Sequence, residues 1–157
     1  MSRKYLFLII TFSALLTGCA TLPSPDVMRS ATEGYTLPRL PDKDKAIVYV
    51  VRPSSLGGLI RFNVFLNDQE ANSEMGYTRG TQYIYFDVTP GKHKIYSKAE
   101  NWAETDVGAK TGDLIFIQQD ANIGVIMARN NIFKIDELQG KYNVKTLTLG
   151  TILKPGQ

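Results

Sequence analysis

AIVYVVR, residues 46–52, is an unbroken apolar run that ends in a single arginine. A run of this length, rich in β-branched side chains, is typical of a central strand that is covered on both faces. Further along, TQYIYFDV at 81–88 alternates apolar with more polar side chains, and TPGKH at 89–93 places Pro-Gly where a tight turn needs it. We therefore expect HKIYSKA, residues 93–99, to be the hairpin partner of 81–88.

Short strand-like runs continue through the rest of the chain, with turn residues between them. They are RFNVFLN at 61–67, DLIFIQQ at 113–119, IGVIMAR at 123–129 and VKTLTLGTIL at 144–153. One short helix is expected within residues 130–142, where Asp136 would cap the first turn and Gly140 would end it. The sequence predicts an all-β domain over residues 45–157, a small antiparallel β-sandwich of about seven strands with one short helix near the C-terminus.

The N-terminus has the features of a targeting signal. Two basic residues precede YLFLIITFSALL at 5–16, whose twelve residues would span about 18 Å as a helix, too little for a bilayer core of roughly 30 Å. This order of features is typical of a secretory signal peptide. Residues 16–19, LTGC, resemble the bacterial lipobox, so we expect 1–18 to be a lipoprotein signal peptide. Cleavage would fall between Gly18 and Cys19, and Cys19 would receive lipid. An ordinary signal peptide cut elsewhere, with the cysteine incidental, is the alternative.

A lipidated Cys19 would hold the protein at a membrane, because two or three acyl chains anchor firmly where one does not. Ala20 follows the cysteine, where an aspartate commonly retains lipoproteins in the inner membrane, so we expect an outer-membrane anchor facing the periplasm. Residues 19–44 contain four prolines, which predicts an extended linker that lifts the domain off the lipid. Three apolar side chains of this linker could still pack on the domain: Tyr35, Leu37 and Leu40.

Composition excludes several kinds of function. Without the two basic residues of the signal peptide, the 18 Lys and Arg fall to 16, against 15 Asp and Glu, so there is no global electrostatic case for nucleic-acid binding. One Cys and one His give neither a disulfide nor a structural zinc site. No glycine-rich phosphate loop is present in the sequence. We expect no metal and no cofactor.

Two segments are candidates for contact with a ligand or a partner. The loop RPSSLGGLIR at 52–61 could clasp an anion or a glycan, or could merely join two strands. Its contact residues would be two arginines and two serines: Arg52, Ser54, Ser55 and Arg61. Trp102 lies in AENWAET at 99–105, a charged connection, where it could anchor a sugar or a protein partner or could pack in the core.

Other polar and aromatic residues have simpler interpretations beside functional ones. His93 could act as a general base with Ser97 and Asp87, but a hydrogen bond to the adjoining turn is favoured. Carboxylates could serve glycan hydrolysis, although turn and capping roles are favoured; they are Asp113 and Asp120 around one strand, and Asp136 and Glu137 at the helix start. Tyrosines on the outer face of the predicted hairpin could form a binding stripe or simply stabilise the sheet; they are Tyr83, Tyr85 and Tyr96.

Several segments together resemble one known family. They are the lipobox, VYVVRPS at 48–54 with Gly57-Gly58 after it, YFDVTPGKH at 85–93 and GDLIFIQQ at 112–119. Over roughly residues 45–142 the chain resembles the small bacterial lipoproteins of domain-of-unknown-function family 2846. The resemblance implies a β fold and an envelope location, and brings no activity. NDQEANSEMGYTRG at 67–80 departs from the short glycine turn common in such domains.

The leading hypothesis from the sequence is a non-enzymatic lipoprotein of the cell envelope. It would act as a binding or assembly module for another envelope protein or a glycan. A carboxylate-based hydrolase acting on cell-wall glycan is the alternative, and a purely structural spacer is a third hypothesis. A cleft with two facing carboxylates would favour the hydrolase.

Overall fold

The computed structural model describes residues 22–155, so the predicted signal peptide, Gly18 and Cys19 lie outside the described residues. Within that range two five-stranded sheets form a β-sandwich with two helices. The elements, in chain order, are α1 (Pro25–Thr32), β1 (Ala46–Arg52), β2 (Phe62–Leu66), a 3₁₀ turn (Ala71–Ser73), β3 (Glu74–Thr78), β4 (Gln82–Val88), β5 (Gly91–Lys98), β6 (Trp102–Ala109), β7 (Leu114–Ile123), β8 (Ala128–Ile135), α2 (Glu137–Thr146), β9 (Thr148–Leu149) and β10 (Thr151–Ile152). The predicted all-β sandwich is confirmed, with ten strands in place of about seven.

The first sheet has the strand order β8-β7-β1-β4-β9, and the second has the order β10-β3-β2-β5-β6. Every residue of β1 is buried, as the unbroken apolar run predicts. Alternate β1 residues such as Val48 and Val50 face the second sheet, while Tyr49 and Val51 pack beneath the helical layer. The strands β1 and β7 run parallel, as do β4 and β9, so the sandwich is mixed where the sequence predicted an antiparallel one.

The predicted hairpin between 81–88 and 93–99 is wrong. β4 pairs with β1 in the first sheet, and β5 pairs with β2 and β6 in the second, so the Pro90-Gly91 turn carries the chain from one sheet to the other. An inter-sheet turn and a hairpin turn preserve the same alternation of apolar side chains, so the pattern does not separate them. The predicted tyrosine stripe is divided accordingly, because two of its members lie on the first sheet and one on the second: Tyr83, Tyr85 and Tyr96.

The last third of the chain differs from its prediction at several boundaries. Residues 123–127, predicted as strand, are mostly a turn, and β8 occupies the segment expected to lead into a helix. The cap of α2 is confirmed, since the backbone N–H of Gln139 donates to the Asp136 carboxylate at 2.9 Å. Gly140 does not end the helix, which continues to Thr146. The glycine has a packing role instead, because its backbone lies directly against the Phe116 ring, where a Cβ would not fit.

Residues 25–44 form part of the folded body, where the sequence predicted an extended linker. The helix α1 packs against α2, and Met28 and Leu37 are buried. The Tyr49 hydroxyl donates to the carbonyl oxygen of Arg39, which ties this segment to β1. Of the three apolar side chains expected to pack, Tyr35 and Leu37 do so, whereas Leu40 stays 59% exposed.

Candidate functional site

Two loops project from one end of the sandwich and form an apolar tip, defined here as residues 53–60 and 123–127. Val51, next to the end of β1, pairs with Gln118, but β7 continues to Ile123 before the chain turns into β8. Six large apolar side chains are exposed there: Leu56 (48%), Leu59 (90%), Ile123 (88%), Val125 (90%), Ile126 (87%) and Met127 (47%). Large clusters of exposed apolar side chains are uncommon on protein surfaces, so the tip is a candidate contact surface.

Arg52 shapes the first loop of the tip from inside. Its side chain is fully buried, and its guanidinium donates to the carbonyl oxygens of Ile60 (2.7 Å), Leu56 (2.8 Å) and Gly57 (3.0 Å). The guanidinium carbon lies 3.6 Å from the centroid of the Phe62 ring, and burial lowers the pKa of Arg52 to about 10. The predicted anion contact at Arg52 is therefore corrected, because the side chain is inaccessible and its donors hold the loop.

Glu100 organises the second loop of the tip. Its carboxylate accepts the backbone N–H groups of Val125 (3.1 Å), Ile126 (2.9 Å) and Met127 (2.8 Å). These three hydrogen bonds hold the pKa of Glu100 below its ordinary value, because they stabilise the charged form. Both loops thus have backbone groups that are bonded from within the domain rather than by water.

A cleft of about 500 Å³ opens at the base of the tip, between the first loop and α2. Ser54 and Ser55 line this cleft, so the structure places both predicted serines at a cavity. Leu22, the first described residue, is also part of its wall. The remaining lining is mixed in character: Pro53, Thr81, Gln118, Asp120, Phe133 and Gln139.

Arg61 and Trp102, the other predicted contact residues, lie away from the cleft. Arg61 is exposed, and its guanidinium carbon lies 4.9 Å from the centroid of the Tyr77 ring. Trp102 opens β6 instead of lying in a connection, and it packs on Phe65 with a centroid separation of 5.2 Å while remaining 37% exposed. The structure does not bring the predicted contact residues together at one site.

His93 has the role that the sequence favoured. Its ring bonds the Thr89 carbonyl oxygen at 2.7 Å and the Asn67 side-chain oxygen at 3.2 Å. Asp87, its expected carboxylate partner, is instead buried and paired with Arg39. These contacts fix the turn between the sheets and do not form a triad.

The carboxylates considered for hydrolysis each have a local partner. Asp113 accepts the backbone N–H of Lys110 at 2.8 Å, and Glu137 pairs with the lysine one turn further along α2. Asp120, which lies within β7 and not at its end, accepts the side-chain amide of Gln118 at 2.7 Å. Asp136 is the cap of α2. A turn role accounts for Asp113 and a capping role for Asp136, Glu137 forms an ion pair along the helix, and of the four Asp120 alone lines the cleft.

No helix within residues 22–155 has the length and apolar character to cross a membrane, and no cluster of three or more His, Cys, Asp or Glu side chains in that range could hold a metal ion.

Comparison with known proteins identifies the family. The family model described as protein of unknown function (DUF2846) matches residues 42–148. The chain belongs to the DUF2846 family. An uncharacterized protein of Haemophilus influenzae is 28% identical over 143 residues, which cover 90% of this chain and 81% of that protein. The DUF2846 region runs from before β1 to β9, so it contains both loops of the tip, and the resemblance expected over roughly 45–142 is confirmed.

Sequence reasoning missed the second loop of this DUF2846 domain and the carboxylate that supports it. IGVIMAR reads as a buried strand because apolar runs normally lie inside. The local sequence signal against a strand is the glycine at position 124, and in the structure an added Cβ there would lie 2.0 Å from the Met127 carbonyl oxygen. Nothing near Glu100 in the sequence indicates that it meets residues 125–127.

Proposed function

We propose that this protein is a lipid-anchored binding module of the cell envelope, held by acyl chains on Cys19 and contacting its target through the apolar tip. The carrying observation is that six large apolar side chains stay exposed on loops that Arg52 and Glu100 hold in shape from below. An anchor in the outer membrane, with the domain in the periplasm, is the location that Ala20 favours. The module has no catalytic step of its own.

Single leucines exposed on a protein surface are common and need no explanation. The tip differs from them because its exposed side chains lie on two loops whose backbones are held by hydrogen bonds from Arg52 and to Glu100. The two loops lie close together, because an added Cβ on Gly57 would lie 2.8 Å from Cβ of Ala128, the residue that follows the second loop. A shallow groove of about 230 Å³ runs between them, with Leu56 and Met127 among its apolar walls. The two loops therefore line one shared surface, as a binding tip requires.

The hydrolase alternative has less support. Glycoside hydrolysis requires two carboxyl groups about 5–10 Å apart across the scissile bond. Among the described residues that line the cleft, Asp120 is the one carboxylate, and Gln118 already donates to it. The two serines on the wall of the cleft, Ser54 and Ser55, would suit the binding of a glycan without its cleavage as well as they would suit hydrolysis.

Photo-crosslinking in intact cells tests the binding role. A photoreactive amino acid at Leu56 should trap one discrete species, because this side chain is on the tip. Leu40 is the matched control, since it is similarly exposed but adjoins Arg39, which binds Asp87 near the opposite end of β1. A bare monomer band from Leu56, or identical products from both positions, would contradict the proposal.

The anchor is tested separately. Cys19→Ala should abolish incorporation of labelled palmitate and release the domain from membranes. Membrane retention of the variant without label would show that the cysteine is not the site of attachment.

A further inference from the structure

We propose that the tip binds the surface of the lipid bilayer itself, entering the interface beside the acyl chains on Cys19. The domain would then be held at two points and would have a fixed orientation with little space beneath it. This inference rests on the proposed lipid anchor and names the occupant of the same tip.

The first described residue lies at the same end of the sandwich as the tip. Leu22 lies in the wall of the cleft together with Ser54 and Ser55, which belong to the first tip loop. Helix α1 begins at Pro25, so the folded body starts almost immediately. Two residues lie between Cys19 and Leu22, and the three Cα–Cα steps that join them can span at most about 11 Å. The acyl chains therefore enter the membrane close to the tip.

The heights of the anchor and the tip are compatible. Asp120 lines the same cleft as Leu22, and β7 continues from there to Ile123. At about 3.3 Å per residue, these three steps carry the end of the strand roughly 10 Å beyond the cleft. The chain from Leu22 to Cys19 can span a similar distance, so its length allows the acyl chains and the tip to meet the same bilayer interface.

The chemistry of the tip also suits a lipid surface. Its six large exposed side chains are aliphatic or thioether, and the N–H groups of residues 125–127 already donate to Glu100. These donors lose no water partner when the loop leaves water, which is the main cost of burying backbone in lipid.

Basic side chains surround the base of the tip. Arg61 and Lys98 share a shallow pocket with Met127, and Arg129 lies beside the second loop with half of its side chain exposed. Positive charge in this position attracts anionic lipid headgroups. Two acidic residues also lie near the base of the tip: Glu100, which is 16% exposed, directs its carboxylate to the loop and lies 3.9 Å from the Arg129 guanidinium, and Asp120 lines the cleft. Arg61 and Lys98 form no ion pair with a described residue, and their charges favour an anionic lipid surface over an uncharged occupant.

An environment-sensitive probe tests this inference with the lipidated protein. In the mature protein the sulfur of Cys19 is bonded to lipid, so Ile126→Cys supplies the free thiol for labelling with a nitrobenzoxadiazole dye. Leu40→Cys is the matched control, and both positions are exposed enough to leave folding unchanged. The labelled proteins are reconstituted into vesicles of phosphatidylethanolamine and phosphatidylglycerol and then floated on a density gradient.

The inference predicts a blue-shifted, severalfold brighter signal from the probe at position 126, quenched by lipids that carry a shallow nitroxide. The probe at position 40 should report water. If both proteins float but both probes report water, the tip does not enter lipid, and the inference fails while the anchor stands. If neither protein floats, the anchor fails and the inference fails with it. An aqueous signal together with crosslinking of position 126 to a protein in cells would replace the bilayer by a protein partner.

Discussion

Replacing Arg52 by methionine tests whether the buried guanidinium is the support of the tip. Methionine retains a long flexible side chain but removes all of the donors that reach the loop. Arg52 is fully buried and donates to three carbonyl oxygens within 3.0 Å. A ligand contact would have little effect on folding when it is removed, whereas a structural support would have a large one.

The magnitude follows from the carbonyls that would be left without donors. The Gly57 oxygen still accepts the backbone N–H of Ile60, so the oxygens of Leu56 and Ile60 are the ones orphaned. An unsatisfied buried acceptor costs about 1–3 kcal/mol, and opening of the loop to water would recover part of this. Removal of a buried charge that has no carboxylate partner offsets part of the rest. We expect Arg52→Met to lower the free energy of unfolding by about 2 kcal/mol.

Urea denaturation at 25 °C measures this change, with Arg61→Met as the control. Arg61 is exposed and contacts the Tyr77 ring, so its variant should stay within about 0.5 kcal/mol of the wild type. Amide exchange within residues 53–60 should accelerate in the Arg52 variant alone. Equal stability of the Arg52 variant and the wild type would refute the argument and would restore a ligand-binding role for this arginine.

Two further substitutions test the packing of α2 and the second tip loop. Gly140→Ala should lower stability by about 1–3 kcal/mol in thermal denaturation, although alanine is the better helix former, because its Cβ would overlap the Phe116 ring; Gly108→Ala, which has open space, should have no such effect. Glu100→Gln should accelerate amide exchange at residues 125–127. In the wild type the same amides should lose protection on acidification. The pKa of Glu100 is lowered in the folded protein, so its carboxylate stabilises the loop fully above the ordinary pKa of a glutamate, and this stabilisation is lost as pH falls through the pKa of Glu100 in the folded state. Unchanged exchange in either experiment would exclude the carboxylate as the support.

The burial of a strand could be predicted from the sequence where nearly all of its side chains are apolar. An unbroken apolar strand has to be covered on both faces, and β1 is covered by the second sheet on one side and by α2 and the N-terminal segment on the other. The Asp136 cap was predictable for a similar reason, because it depends on backbone groups only three residues away.

Pairing partners were not predictable, because they depend on distant residues. Turns that join two strands of one sheet and turns that join two sheets accept the same Pro-Gly sequence, and the difference arises from what β4 meets in β1. The segment 130–135 became a strand by pairing with β7, a contact that overrides local helix signals. The N-terminal segment lies on the domain through contacts with distant residues, among them the ion pair between Arg39 and the buried Asp87 and the hydrogen bond from the Tyr49 hydroxyl to the Arg39 carbonyl oxygen.

The loop at 52–61 was chosen from the sequence for its polar residues, whereas the structure makes it a candidate because of its exposed apolar ones. The sequence directed attention to its arginines and serines, but Arg52 points inward and the exposed residues of interest are Leu56 and Leu59. An arginine at the end of an apolar strand can lie on either side of the sheet, and only the register of β1 against its neighbours settles which.

The hydrogen bonds that Arg52 and Glu100 make to the two loops lower the cost of transferring the tip from water to an apolar surface. In an ordinary connecting loop, solvent satisfies the backbone, so transfer to an apolar environment strips those groups of their partners. In this tip the buried Arg52 guanidinium donates hydrogen bonds to carbonyl oxygens of one loop, and the Glu100 carboxylate accepts hydrogen bonds from N–H groups of the other. The part of the tip that would meet the target is then mainly hydrocarbon, and dehydrating hydrocarbon is favourable. A substitution that removes either support should therefore weaken binding even where every exposed apolar side chain is intact.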